Sequence, residues 1–321
     1  MTTDLKARLR MKGIRFVPNT REQAMAYNRK SQPDIITEHN DINKIEWTEV
    51  PTDPKAAPDC YVGQAALRVP DRSKCRYKLQ WPLRYGSFNE KDYTDKNEIY
   101  RDVVVVIEEA MKIQLGLNRR GDWKQYSCVL VVPDLYEKNY VTTMLDMMFR
   151  EFGFNRVCLI QESVSASFGA GYSPCCIVDI GAYKTSICCI EDGMVVENSR
   201  IVMRYGSSDV TETFLKMLLS SDLPYADLNL RRRHDFLLAE ELKQKFCTLA
   251  YSDLAHGSRQ FEFHLRVPDQ DTRHYRFKCY DEAMLGSMVG RASLICDLCT
   301  ELMCPIRAIT GQHFSTLLTS L

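Results

Sequence analysis

Apolar residues recur at helical spacing over residues 102–115. A short run without polar interruption follows, Cys128-Val-Leu-Val-Val132, and its β-branched content predicts a buried central strand ended by Pro133. Residues 138–152 return to helical spacing, rich in Met and Leu, with Gly153 placed to close the helix. Val157-Cys-Leu-Ile160 predicts the next strand, and residues 163–169 a helix of small residues. Residues 176–179 and 185–190 predict two strands joined by a short turn. Glu191-Asp-Gly193 then turns the chain into a third strand over 194–202. Helical spacing resumes over 209–219 and 236–250. Strands alternating with helices, with hairpins embedded, predict an α/β fold with a mixed sheet.

The first 60 residues differ from the rest. Residues 1–30 hold eight Lys or Arg against two acids, and 1–12 predict a short exposed helix. Residues 31–60 are polar and punctuated by Pro33, Pro51, Pro54 and Pro58, which predicts a surface loop or linker. The expected organisation is a basic, loop-rich segment over 1–60, a core over 61–285 with order beginning near Tyr61, and a divergent tail over 286–321.

Composition narrows the function. The 321 residues are 45% hydrophobic and 26% charged, ordinary for a globular protein. Lys plus Arg and Asp plus Glu both count 42, so any contact with nucleic acid must come from a local patch. One candidate is Arg231-Arg-Arg-His234, although a charge run is more often a solvated loop. The thirteen cysteines include the adjacent pairs Cys175-Cys176 and Cys188-Cys189 inside apolar runs. Neighbours on a strand point to opposite faces, so reduced thiols in a cytosolic or nuclear protein are expected. Cys296, Cys299, Cys304 and His313 have spacing compatible with zinc, but cysteines in a Leu-rich helix are more often buried thiols. No apolar run approaches the roughly 20 residues needed to cross a bilayer, and the N-terminus lacks the apolar core of a signal peptide. A soluble intracellular protein is expected.

Chemistry concentrates in Ile177-Val-Asp-Ile-Gly-Ala-Tyr-Lys-Thr185. An apolar strand delivers Asp179, Gly181 follows, and a Thr-bearing strand returns. Glycine permits a tight turn whose N–H groups can approach a phosphate. An acid at the strand end can hold a hydrated divalent cation. Alone, such a hairpin is usually an ordinary turn.

Further segments give it context. Tyr61-Val-Gly63, Trp81-Pro-Leu-Arg-Tyr-Gly86, Ile160-Gln161 ahead of the Asp179 hairpin, and Leu242-Lys-Gln-Lys-Phe-Cys247 together resemble the actin family over about residues 61–254. Gln161-Glu-Ser163, Lys184-Thr-Ser186, Cys188-Cys-Ile-Glu-Asp-Gly193, Tyr205-Gly-Ser-Ser-Asp209 and the stretch from Arg21 to Asn28 resemble its nuclear, chromatin-remodelling branch more than actin itself. The resemblance implies an actin-like ATPase (ribonuclease-H-like) fold, here incomplete at both ends. It implies a nuclear subunit of the INO-eighty nucleosome-remodelling complex, acting in transcription regulation, replication, and DNA repair and recombination. The implied partners are other subunits of that complex, together with nucleosomal DNA met by the basic N-terminal residues, and no membrane.

Carried over by resemblance, Asp179 holds the cation, Gly181 belongs to the phosphate loop, and Lys184 and Thr185 complete the hairpin's candidate contacts. Gln161 positions the attacking water, Asp209 lies near the ribose and Lys243 beside the adenosine. The implied cofactor is ATP with magnesium. Several positions depart from the family. Ala182-Tyr183 replace Asp-Gly, Ser186 replaces a water-activating His, and Gln244 replaces the adenosine-side Glu. The first phosphate loop and the Gly-Gly adenine loop have no counterpart. ATP binding is therefore expected to be weak or absent, with no significant hydrolysis, in a scaffold rather than an enzyme. An active ATPase or sugar kinase would need an acid near the γ-phosphate and an intact first loop. A polymerising cytoskeletal relative would need the surfaces of all four subdomains.

Overall fold

The computed structural model describes residues 17–37, 41–42, 44–73, 75–249 and 257–288. The helix expected over 1–12 and the cysteines beyond Gly290 lie outside these residues. No helix among those described is long and apolar enough to cross a membrane, and no group of three or more metal-binding side chains occurs there.

The first layer gathers around Trp123, which is fully buried and donates Nε1–H to the Leu117 carbonyl at 3.2 Å. Helix Lys96–Leu115 begins earlier than its apolar periodicity suggested, because the Asp95 side chain caps it by accepting from the Asn97 N–H. It ends at Gly116, whose φ of 65° suits glycine. Strands Ser127–Val132 and Arg156–Gln161 pair in parallel, Val132 opposite Gln161. Helix Lys138–Asp146 joins them but does not continue to Phe152 as an α-helix. A π-turn, Met147–Glu151, widens its end and lets Met147, Met148 and Phe152 all face the core.

The expectation that residues 128–132 form a buried central strand is corrected. Val129 is 62% and Val131 49% exposed, and the strand has one neighbour among the described residues. An apolar run does not distinguish a strand covered on both faces from one covered on a single face.

The second layer is the hairpin Cys175–Ile180 and Thr185–Glu191, with Asp179 opposite Ser186, flanked by helix Glu162–Ala170. The single strand expected over 194–202 is two short ones, Met194–Val195 and Ile201–Met203, both paired to Thr185–Glu191. A 3₁₀ turn, Glu197–Ser199, interrupts them. Ser199 stitches it in place, accepting from the Cys189 N–H at 2.9 Å and donating to the Val196 carbonyl.

Helices Ser207–Ser220 and Arg233–Phe246 form the third layer. They bury Phe214, Leu218 and Leu242 against Phe263 and Phe277 of an antiparallel pair, Arg259–Leu265 and Thr272–Cys279. No apolar run in the sequence announces this pair. Strand Asp34–Ile36 adds to its edge, and helix Thr20–Asn28 contacts it. Order therefore begins before Tyr61. The described cysteines are all free, including the cross-strand neighbours Cys176 and Cys189.

Candidate functional site

The hairpin turn after Asp179 is held by backbone from three directions. The Gly181 N–H donates to the Lys184 carbonyl at 2.9 Å. The first N–H groups of helix Ser207–Ser220 turn toward the same loop: Ser207 donates to the Gly181 carbonyl and Ser208 to the Ala182 carbonyl, both at 2.9 Å. These donors would otherwise be orphans of the helix N-terminus. The approach is close enough to require glycine at 206, where a Cβ would lie 2.5 Å from the Ala182 oxygen.

The other candidate residues connect to this turn. Asp209 accepts from the Gly206 N–H at 2.9 Å, closing the helix start. Lys243 reaches over from helix Arg233–Phe246 and donates to the Ser207 hydroxyl at 2.7 Å and to Glu240. Thr185 is buried and donates its hydroxyl to the Tyr205 carbonyl at 2.8 Å, joining hairpin to helix approach. Asp179 stands exposed at the strand end, its carboxylate without a hydrogen-bond or ionic partner among the described residues.

Beside the turn lies a polar cluster in which Lys184, Ser186 and Gln161 were named from the sequence but their partners Glu162 and Asp134 were not. Lys184 places its ammonium 2.6 and 2.8 Å from the two Glu162 oxygens, and the buried Ser186 hydroxyl donates to the same carboxylate at 3.0 Å. Next in line, buried Asp134 accepts from the backbone N–H and the hydroxyl of Ser163. Gln161 donates to the Asp134 carbonyl at 3.4 Å. The segment Gln161-Glu-Ser163 stands out by resemblance, but nothing local in the sequence marks Glu162 as the partner of Lys184. Above the turn, the Arg84 guanidinium lies 4.5 Å from the Tyr183 ring centre, and Tyr85 meets Tyr183 edge-on.

The structure thus places Asp179, Gly181, Lys184 and Thr185 on one hairpin and Asp209 and Lys243 on the two helices that brace it, whereas Gln161 ends a strand of the neighbouring sheet and bonds to Asp134. Asp179 has the exposure and open valence a hydrated divalent cation requires. In the Gly181 turn the Gly181 N–H is already bonded to the Lys184 carbonyl, and the Gly181 and Ala182 carbonyls are bonded to the helix start. The donors of Lys184, Thr185 and Lys243 are likewise engaged within the chain.

Residues 17–251 match the sequence profile of the family described as Actin. The chain belongs to the actin family. Among curated relatives, the probable actin-related protein 8 of Schizosaccharomyces pombe is 36% identical over 290 residues, 90% of this chain and 43% of the relative. The actin-like protein of Saccharomyces cerevisiae is 36% identical over 291 residues, 90% of this chain and 32% of its own length. Actin-related protein 8 of Homo sapiens is 35% identical over 278 residues, 86% of this chain and 43% of the relative. The chain therefore spans less than half the length of these relatives. A solved structure described as human actin-related protein Arp8 in its ATP-bound state superposes with a TM-score of 0.77 at 34% identity. That match covers 85% of this chain and 53% of the other. The fold is the actin-like ATPase fold, and the family match begins at residue 17, beside the ordered Thr20–Asn28 helix.

Proposed function

We propose that this chain acts as a nuclear scaffold subunit of an INO-eighty-type nucleosome-remodelling complex, binding ATP weakly or not at all and hydrolysing none at a significant rate. The observation that carries the catalytic part is the Ser186–Glu162 hydrogen bond. Hydrolysis needs a water oriented and polarised against the γ-phosphate. At the position that resemblance assigns to a water-activating His stands a buried serine whose hydroxyl is committed to a carboxylate. Gln161, the remaining member of that pair, donates to the Asp134 carbonyl. The scaffold role is supported by relatives named actin-related protein 8. The ATP-bound state of the human structure supports a site that keeps the outline of a nucleotide cleft.

For DNA, the N-terminal cations Lys6, Arg8, Arg10 and Lys12 are favoured over the arginine run. Arg232 is held by Asp227 and Asp235, and Arg233 by Asp71 and the Tyr77 carbonyl. Two measurements test this function. ATP turnover by the purified chain should equal that of buffer, and a tagged chain should copurify with remodeller subunits from nuclear extract. A magnesium-dependent rate that disappears in Gln161→Ala would overturn the catalytic part.

A further inference from the structure

Lys184 is the only Lys or Arg between Cys175 and Glu191, so it is the one side-chain cation the hairpin could offer a phosphate. It is largely buried, at 14% side-chain exposure, and Glu162 is 17% exposed. Both Glu162 oxygens face the ammonium, and Ser186 adds a third donor to the carboxylate. The contact is enclosed from above, since a Cβ on Gly86 would come 3.4 Å from the ammonium and 3.0 Å from Pro133. A buried ion pair of this kind is held in place because removing one partner strands the other's charge.

We propose that Glu162 sequesters Lys184 and thereby sets the affinity of this hairpin for the phosphates of a nucleotide. This deepens the nucleotide reading above and rests on it. With the pair intact, the hairpin meets a polyphosphate as a backbone turn beside the Asp179 carboxylate, with no cation of its own. With the carboxylate neutralised, the ammonium must find another anion. A lysine on its flexible stem is an effective point-charge partner for phosphate oxygen, and the Lys184 backbone already forms part of the turn.

Glu162→Gln keeps the shape and an acceptor for Ser186 while removing the charge. Equilibrium dialysis of the full chain with magnesium ATP should show at least a tenfold gain in affinity for Glu162→Gln. The gain should be absent for AMP, which lacks the outer phosphates. Adding Lys184→Met to Glu162→Gln should abolish it. An unchanged or weaker ATP affinity in a folded Glu162→Gln variant overturns the proposal, as does a gain that survives loss of Lys184. A second measurement needs no variant: amine acylation of Lys184, followed by mass spectrometry, should proceed in the unmodified chain at a rate that saturating ATP does not change. Protection by ATP would show that the ammonium already contacts phosphate, and would overturn the proposal even if Glu162→Gln fails to fold. Failure of the broader nucleotide reading is read separately, from turnover or tight ATP binding by the unmodified chain.

Discussion

Asn28 and Lys278, 250 positions apart, hydrogen-bond in both directions: the Asn28 amide donates to the Lys278 carbonyl at 3.0 Å, and the Lys278 N–H donates to Asn28 Oδ1 at 2.7 Å. The same amide donates to the Ser221 carbonyl at 3.0 Å. Asn28 is buried, so its replacement strands backbone groups that water cannot reach. Asn28→Ala should cost about 2–4 kcal/mol, at roughly 1 kcal/mol or more for each hydrogen bond removed, read as a lower urea midpoint at unchanged slope. A neutral result would show that the Thr20–Asn28 helix is not part of the cooperative body.

Gly206→Ala should be among the most damaging single-methyl changes in the chain. The new carbon would meet backbone atoms of Gly181 and Ala182 at 2.5–2.6 Å, and backbone cannot swing aside as a side chain can. Gly121→Ala adds a methyl into open space with no positive φ. Thermal melting should separate the two clearly, with Gly206→Ala well below the parent and Gly121→Ala close to it.

Acid should weaken the Arg259–Leu265 and Thr272–Cys279 pair. His264 stacks on His274, its partner in register, at 4.7 Å between ring centres. Burial, and then the neighbouring His274 and Arg266, lower the His264 pKa from its ordinary 6.5. The unfolded chain therefore takes up the proton more readily than the folded one. The stability His264 contributes is present above pH 6.5 and is lost as pH falls below it. The melting temperature should drop as the pH is taken from about 7.5 to about 5.5, and His264→Phe, which preserves a stacked ring, should shrink that drop. A drop of the same size in the variant would remove His264 as the cause.

Neutralising the arginine run should change DNA binding little and stability more. Arg233 is buried, and its guanidinium donates to Asp71 at 2.8 Å and to the Tyr77 carbonyl, so its loss leaves that carboxylate the backbone N–H of residue 233 but not the charge that balances it. Neutralising Lys6, Arg8, Arg10 and Lys12 should instead lower affinity for duplex DNA and flatten its salt dependence, by up to about 0.9 in slope for each phosphate no longer neutralised. Titrations at several salt concentrations decide between the two clusters. The reverse order of effects would overturn the assignment.

What the sequence made legible follows from how local each signal is. Residues 128–132, 157–160 and 176–190 carry dense apolar runs, and strands stand there. The Asp179–Gly181 turn was readable for the same reason. The pair around Phe263 and Tyr275 was missed because its apolar positions alternate with Arg259, Glu262, Arg273 and Arg276, leaving no run. A period of two was nevertheless present in Phe261, Phe263 and Leu265. Strand Asp34–Ile36 has no local signature, since the residues it pairs with, Thr272 to His274, stand at the far end of the chain. The candidate site divides likewise. Glycine and acid positions were visible, whereas the engagement of Lys184, Thr185 and Lys243 depends on Glu162, Tyr205 and Ser207, which only folding brings near.

Helix Ser207–Ser220 has both ends tied. At one end the Ser207 and Ser208 N–H groups hold the Gly181–Ala182 turn. About 20 Å away, by the 1.5 Å rise of an α-helix, Ser221 donates to Glu282 and accepts from Asn28. The hydrogen bonds from the Gly181 turn to Asn28 therefore run through a single unbroken helix, so that one element sets the spacing between the hairpin and the place where the N-terminal segment joins the body.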